Sequence, residues 1–103
     1  MKPVFLTPHA RLQALDIEVW WVGNRDKAPL LFTDELEAAF ELLSVAPKAG
    51  RLWPDASEPG IRRYMLKTTH YHLYYREEED HVRVLAVWGG PRGLGPDLGR
   101  SPF

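Results

Sequence analysis

Residues 61–88 read IRRYMLKTTHYHLYYREEEDHVRVLAVW, and this stretch decides the fold. Three runs within it, Ile61 to Lys67, Tyr71 to Arg76 and Val82 to Trp88, are rich in aromatic and β-branched side chains, which fit a pleated, half-buried surface. Thr68-Thr69-His70 and Glu77-Glu78-Glu79-Asp80-His81 separate them, connections short enough for antiparallel hairpins. Side chains alternate across a strand, so Arg63, Met65 and Lys67 share one face of the first run, and Arg62, Tyr64 and Leu66 the other. On the second run His72, Tyr74 and Arg76 lie opposite Leu73 and Tyr75, and the Leu73 face is expected to meet the helices.

Toward the N-terminus the apolar period changes from two to three and four. Val4-Phe5-Leu6 reads as a short strand, Thr7 as an N-cap and Pro8 as a first helical residue. From His9 to about Val22, the stripe Leu12, Leu15, Val19 and Val22 predicts an amphipathic helix, stopped by a left-handed turn at Gly23-Asn24. Pro29 opens a second helix whose stripe is Phe32, Leu36, Ala39, Phe40 and Leu43, with Asp34, Glu35, Glu37 and Glu41 toward water and Pro47 as its end. So short a connection predicts antiparallel packing of the pair. Residues 48–60, with Gly50, Pro54, Pro59 and Gly60, read as a surface loop. The expected architecture is therefore α+β: an N-terminal strand and a helical hairpin packed on a curved antiparallel sheet, β-α-α-β-β-β. It forms one domain over residues 1–92, followed by a Gly/Pro-rich tail over 93–103.

The composition narrows the function classes. A chain of 103 residues supports one modest core and argues against a deep catalytic cavity. The lack of cysteine excludes disulfides, thiolate nucleophiles and cysteine-based zinc sites, and fits a cytoplasmic location. Val4-Phe5-Leu6 is too short for a signal peptide, and no apolar run approaches the ~20 residues that span a bilayer, so no membrane role is expected. With thirteen Lys and Arg against fourteen Asp and Glu, the formal charge of −1 speaks against bulk polyelectrolyte binding of nucleic acid. The charge is unevenly spread: residues 1–59 carry a net −3 and residues 60–103 a net +2, so an anionic partner would meet the second half.

Arg62, Arg63, Lys67, Arg76, Arg83 and Arg92 supply that half with cations. Converging arginines can bind a phosphate bidentately and stabilise a developing phosphorane, which makes a small metal-free nuclease chemically feasible; scattered, the same residues protect sheet edges. His70 and His72 lie on one strand face with His81 at the start of the next strand, but no carboxylate at matching spacing completes a metal site. His72 is the candidate general acid or base. Neither a metal nor a cofactor is expected. Trp20 and Trp21 are adjacent on a helix and cannot both face inward, so one of them is expected at the border of the stripe, where a partner chain could reach it.

The element order, together with Gly60-Ile61-Arg62, the runs Tyr71 to Arg76 and Val82 to Trp88, and Arg92, resembles the RelE/ParE family of toxins from bacterial type II toxin–antitoxin systems. The resemblance covers residues from about 4 to 92. It implies either a RelE-like enzyme that cuts ribosome-bound message without metal or a ParE-like protein that acts on a macromolecule such as DNA gyrase. Arg63 and Arg92 match basic positions of the nuclease pattern, and Lys67 keeps a further cation. Met65 stands where the nucleases have a second basic residue, His72 where they have an arginine, and Leu98 near their C-terminal tyrosine. Losing a proton-transfer side chain typically costs 10²–10⁴ in rate, which favours the ParE-like branch.

On that reading Arg62, Arg63, Lys67 and Arg92 bind the target. Trp20, Trp21 and Tyr74 bind a cognate antitoxin, with which the chain forms a hetero-oligomer. The alternative is a ribosome-dependent endonuclease using Arg63, His72 and Arg92, and a second is a non-toxic interaction protein of the same fold.

Overall fold

A computed structural model describes residues 1–54 and 58–89. Arg92 and the tail over 93–103 lie outside the described residues. Seven elements follow in order: β1 (Val4–Leu6), α1 (Pro8–Asn24), α2 (Leu31–Val45), β2 (Arg51–Leu52), β3 (Ile61–Met65), β4 (His72–Glu77) and β5 (Val82–Trp88). The strands form one sheet in the order β1-β5-β4-β3-β2, in which β1 runs parallel to β5 and every other pair is antiparallel. This is the expected α+β architecture with two refinements. The N-terminal strand joins the meander at its far edge, and the segment read as a loop contributes β2, with Arg51 opposite Arg63 and Leu52 opposite Arg62.

α1 starts where its sequence says it should. The Thr7 hydroxyl accepts from the Ala10 amide at 3.1 Å, satisfying one orphan donor of the first turn, and Pro8 occupies a position that needs no N–H. Thr7 is itself buried, and its amide donates to the Val84 carbonyl, so the cap also fastens the helix to the sheet. The end of α1 corrects the sequence reading. Gly23 and Asn24 continue the helix; Arg25, with φ −128°, closes it by donating its amide to the Trp21 carbonyl. α2 begins at Leu31, two residues beyond Pro29, and the Pro47 that was expected to stop it follows the cap at Ala46.

The larger correction concerns which face of α1 is buried. Ala10 and Ala14 enter the core, with Ile17 and Trp21 packed against it, whereas Leu12, Leu15, Val19 and Val22 are 53–65% exposed. Small side chains let the helix lie close on β5, and the Gln13 side chain reaches across to accept from the Val87 amide at 2.8 Å. On α2 the expected stripe holds: Phe32, Leu36, Ala39 and Leu43 are buried, and Phe40 packs beside them.

Across the sheet, Leu66, Leu73, Tyr75, Val82, Val84 and Val87 complete the core beneath the helices. Ile61, Tyr74, Leu85 and Ala86 form a smaller cluster on the other face, shielded by Trp53 and Trp88. A bulge makes both faces apolar along β5: Tyr74 pairs with Ala86 but Tyr75 with Val84, leaving Leu85 without a register partner.

Candidate functional site

The sheet face turned away from the helices carries the side chains that could do chemistry. Arg63 lies on β3 opposite Tyr74, and its guanidinium sits 4.4 Å from the centre of the Trp53 ring, a cation–π contact that fixes its orientation. Beside it, Met65, His72 and Trp88 occupy matching positions of β3, β4 and β5, so His72 is flanked by a thioether and an indole. Burial, then the Arg63 charge and then His70 hold the His72 imidazole below its ordinary pKa. It is therefore a neutral ring at neutral pH, able to accept a proton and poorly suited to donate one.

The other predicted cations do not join Arg63. Arg62 points to the opposite face and donates to the carbonyls of Gly50, at 2.8 Å, and Lys48, at 3.4 Å. Lys67 is exposed beyond the end of β3 and lines a groove against α2 with Glu35 and Leu42. Arg76 and Arg83 share Glu58 at 3.0 and 2.9 Å, and Arg83 also meets Glu78 at 3.0 Å, so two guanidiniums and two carboxylates balance one another. Arg92 lies outside the described residues. Of the proposed nuclease set, Arg63 and His72 thus share a face, which Arg51 joins from its position opposite Arg63 on β2, while Arg62, Lys67, Arg76 and Arg83 are paired or turned elsewhere.

His81 sits at the far end of the β4–β5 hairpin, 2.7 Å from Asp80, away from His70 and His72. Among the described residues, no three His, Asp or Glu side chains converge in a way that could hold a metal.

A cleft of about 580 Å³ opens beside His72, walled by Trp20, Trp21, Arg25, Met65 and Tyr71. Trp21 is half-buried and its indole N–H donates to the Tyr71 hydroxyl at 3.3 Å. Trp20 is 44% exposed and meets Trp21 edge-on, as expected for one inward and one border ring. The Arg25 guanidinium lies 5.2 and 5.6 Å from the two ring centres. Tyr74, by contrast, is 2% exposed and packs against the edge of Trp53, so it underlies the surface and cannot present its ring to a partner.

Sequence reasoning missed Arg25, Tyr71 and Gly89. A signal for the last two existed in the register: with His72 opposite Trp88, the next pair outward is Tyr71 and Gly89. A Cβ on Gly89 would come within 2.4 Å of the Tyr71 ring, so the ring fills the space that a side chain would need.

A family model described as the ParE toxin of the type II toxin–antitoxin system parDE matches residues 4–92. The chain belongs to the ParE toxin family. A solved structure described as the chromosomal ParDE TA system from P. aeruginosa shares the fold at a TM-score of 0.68 and 17% sequence identity, covering 84% of this chain and 94% of that one. No curated protein matches the chain. Among the described residues of this ParE-family chain, no helix is long and apolar enough to cross a membrane.

Proposed function

We propose that this ParE-family protein is the toxin of a type II toxin–antitoxin module, arresting growth in the cytoplasm by binding DNA gyrase, with no cofactor or metal. A cognate antitoxin neutralises it as a hetero-oligomer that covers the Trp20 and Trp21 rim and the β2 edge. The observation that carries binding over cutting is the make-up of the outer sheet face. Arg63 is held over Trp53, Met65 occupies the next position on that face of β3, and His72 is kept neutral between Met65 and Trp88. Such a face offers aromatic and aliphatic surface around the oriented Arg63, with Arg51 opposite it on β2, the composition of a protein contact centre. Among the described residues, Arg76 and Arg83 are neutralised by Glu58 and Glu78 and His72 is held neutral, which leaves the face short of the net charge and proton donor that phosphoryl transfer requires.

One observation favours the second reading, a ribosome-dependent nuclease using Arg63, His72 and Arg92. A guanidinium beside a neutral imidazole can clamp a phosphate and serve as its base. Induced expression without the antitoxin, with plasmid supercoiling and message integrity read in the same cells, separates the two. Binding to gyrase predicts altered supercoiling with intact message, and growth arrest that survives His72→Ala. Message cut at ribosomes and arrest abolished by His72→Ala would establish the nuclease reading, and unaffected growth would leave a non-toxic interaction protein.

A further inference from the structure

α1 is apolar on two sides, and only one of them is used by the fold. At 100° per residue, Ala10, Ala14, Ile17 and Trp21 define the side packed on the core, and Leu12, Leu15, Val19 and Val22 fall about 150° round the helix from it. The exposed four are spaced by three, four and three residues, the a/d spacing of a coiled-coil seam, with Leu12 and Val19 at a and Leu15 and Val22 at d. The central pair, Val19 at a and Leu15 at d, is the combination that favours two strands. We propose that this seam is a homodimer interface, in which α1 of a second copy of this chain packs parallel to it.

The flanking charges choose both the occupant and its direction. Arg11 and Glu18 fall at g positions and Asp16 at e. In a parallel pair each g residue faces the e residue five positions later on the other helix, so Arg11 meets Asp16 of the second copy twice by symmetry, and Glu18 meets Gly23 without conflict. An antiparallel pair would set g against g and e against e, bringing Glu18 to Glu18 and Asp16 to Asp16 at the centre of the seam. A seam of under three turns is too short to hold two free peptides together. Here the helix is already formed and fixed on β5, which removes the ordering cost. Arg11, Leu12, Leu15, Asp16 and Val19 are all exposed, and of the flanking charges only Glu18 is engaged by the fold, accepting from the Thr33 hydroxyl of α2 at 2.9 Å.

Sedimentation equilibrium of the full chain over a wide concentration range tests this, with circular dichroism verifying that each variant is folded. The wild type is expected to dimerise reversibly. Asp16→Arg turns two attractive pairs into two repulsive ones and should weaken the dimer about tenfold, while Arg11→Asp combined with Asp16→Arg restores it. Leu15→Cys, in a chain with no other cysteine, should cross-link to itself under mild oxidation, because equivalent d positions meet only in the parallel arrangement. A chain that stays monomeric at every concentration overturns the proposal and leaves the seam to a helix of another protein. A dimer that ignores Asp16→Arg, or in which Leu15→Cys pairs only with Val19→Cys, overturns it equally.

Discussion

Tyr75→Phe removes a single oxygen that holds two ends of a turn. Tyr75 is fully buried, and its hydroxyl donates to the Pro47 carbonyl at 2.7 Å and accepts from the Gly50 amide at 2.8 Å. Burial pushes this phenol's pKa up against the opposing Gly50 hydrogen bond, so it is a protonated donor throughout the physiological range. Gly50 is also buried, and its carbonyl receives Arg62 at 2.8 Å. The oxygen therefore sets where the chain enters β2, one of the two edge strands of the sheet. Losing the hydroxyl deletes two hydrogen bonds, each worth about 1 kcal/mol, and leaves the buried Gly50 N–H without a partner, for a total near 3 kcal/mol. In a domain of about 100 residues that lowers Tm by about 12–24 °C. Urea unfolding, with the slope m unchanged, measures the loss directly. A loss below about 1 kcal/mol would refute the clamp and mean that the turn is held by other contacts or repaired by water. Gly50→Ala gives an independent check, because its Cβ would stand 2.7 Å from the Tyr75 hydroxyl and 2.8 Å from the Arg63 carbonyl, which is backbone and cannot yield.

Gly89→Ala should displace the Tyr71 ring and break its contact with the Trp21 indole, shifting tryptophan fluorescence to the red while most of the fold persists. An unchanged emission spectrum would mean that the ring is not seated against Gly89. In NMR titrations the His72 midpoint should lie below the ordinary histidine value and rise toward it in Arg63→Ala. A folded pKa depressed in this way makes the unfolded chain the stronger proton binder. The His72 contribution to stability is then complete above the ordinary value and is lost as pH falls from there through the folded midpoint. Glu35 accepts from the amides of Thr68 and Thr69, both at 2.8 Å, tying α2 to the β3–β4 turn. Burial raises its pKa, and these bonds together outweigh that and lower it. Glu35→Gln should cost about 1 kcal/mol at neutral pH, with the difference from wild type shrinking as pH falls through the folded carboxyl midpoint.

The strand half of the molecule was legible because alternation leaves little freedom: once Leu73 and Tyr75 are placed under the helices, His72 and Arg63 must share the outer face. α1 was misread for a definite reason. Hydrophobic periodicity weights large side chains, and here the large ones, Leu12, Leu15, Val19 and Val22, face out while the alanines face in. β2 is two residues long and pairs with a strand ten residues away, a tertiary choice that no local pattern announces. Parallel pairing of β1 with β5 joins the two ends of the domain and leaves no trace in either segment. The sequence names the cations but not their partners. That Arg76 and Arg83 are neutralised by Glu58 and Glu78, and that Arg62 turns away from Arg63, depends on contacts across the folded sheet. Tyr74 illustrates the same limit, since a tyrosine on the outer face is exposed only if nothing like Trp53 covers it.

Purified components separate binding from cutting. The folded protein, free of antitoxin, is added to DNA gyrase in a supercoiling assay, and in parallel to translating ribosomes with a defined message. Inhibited supercoiling, equally strong with His72→Ala, and an uncut message are expected. Full gyrase activity beside message cleaved at the ribosome would contradict binding without cutting.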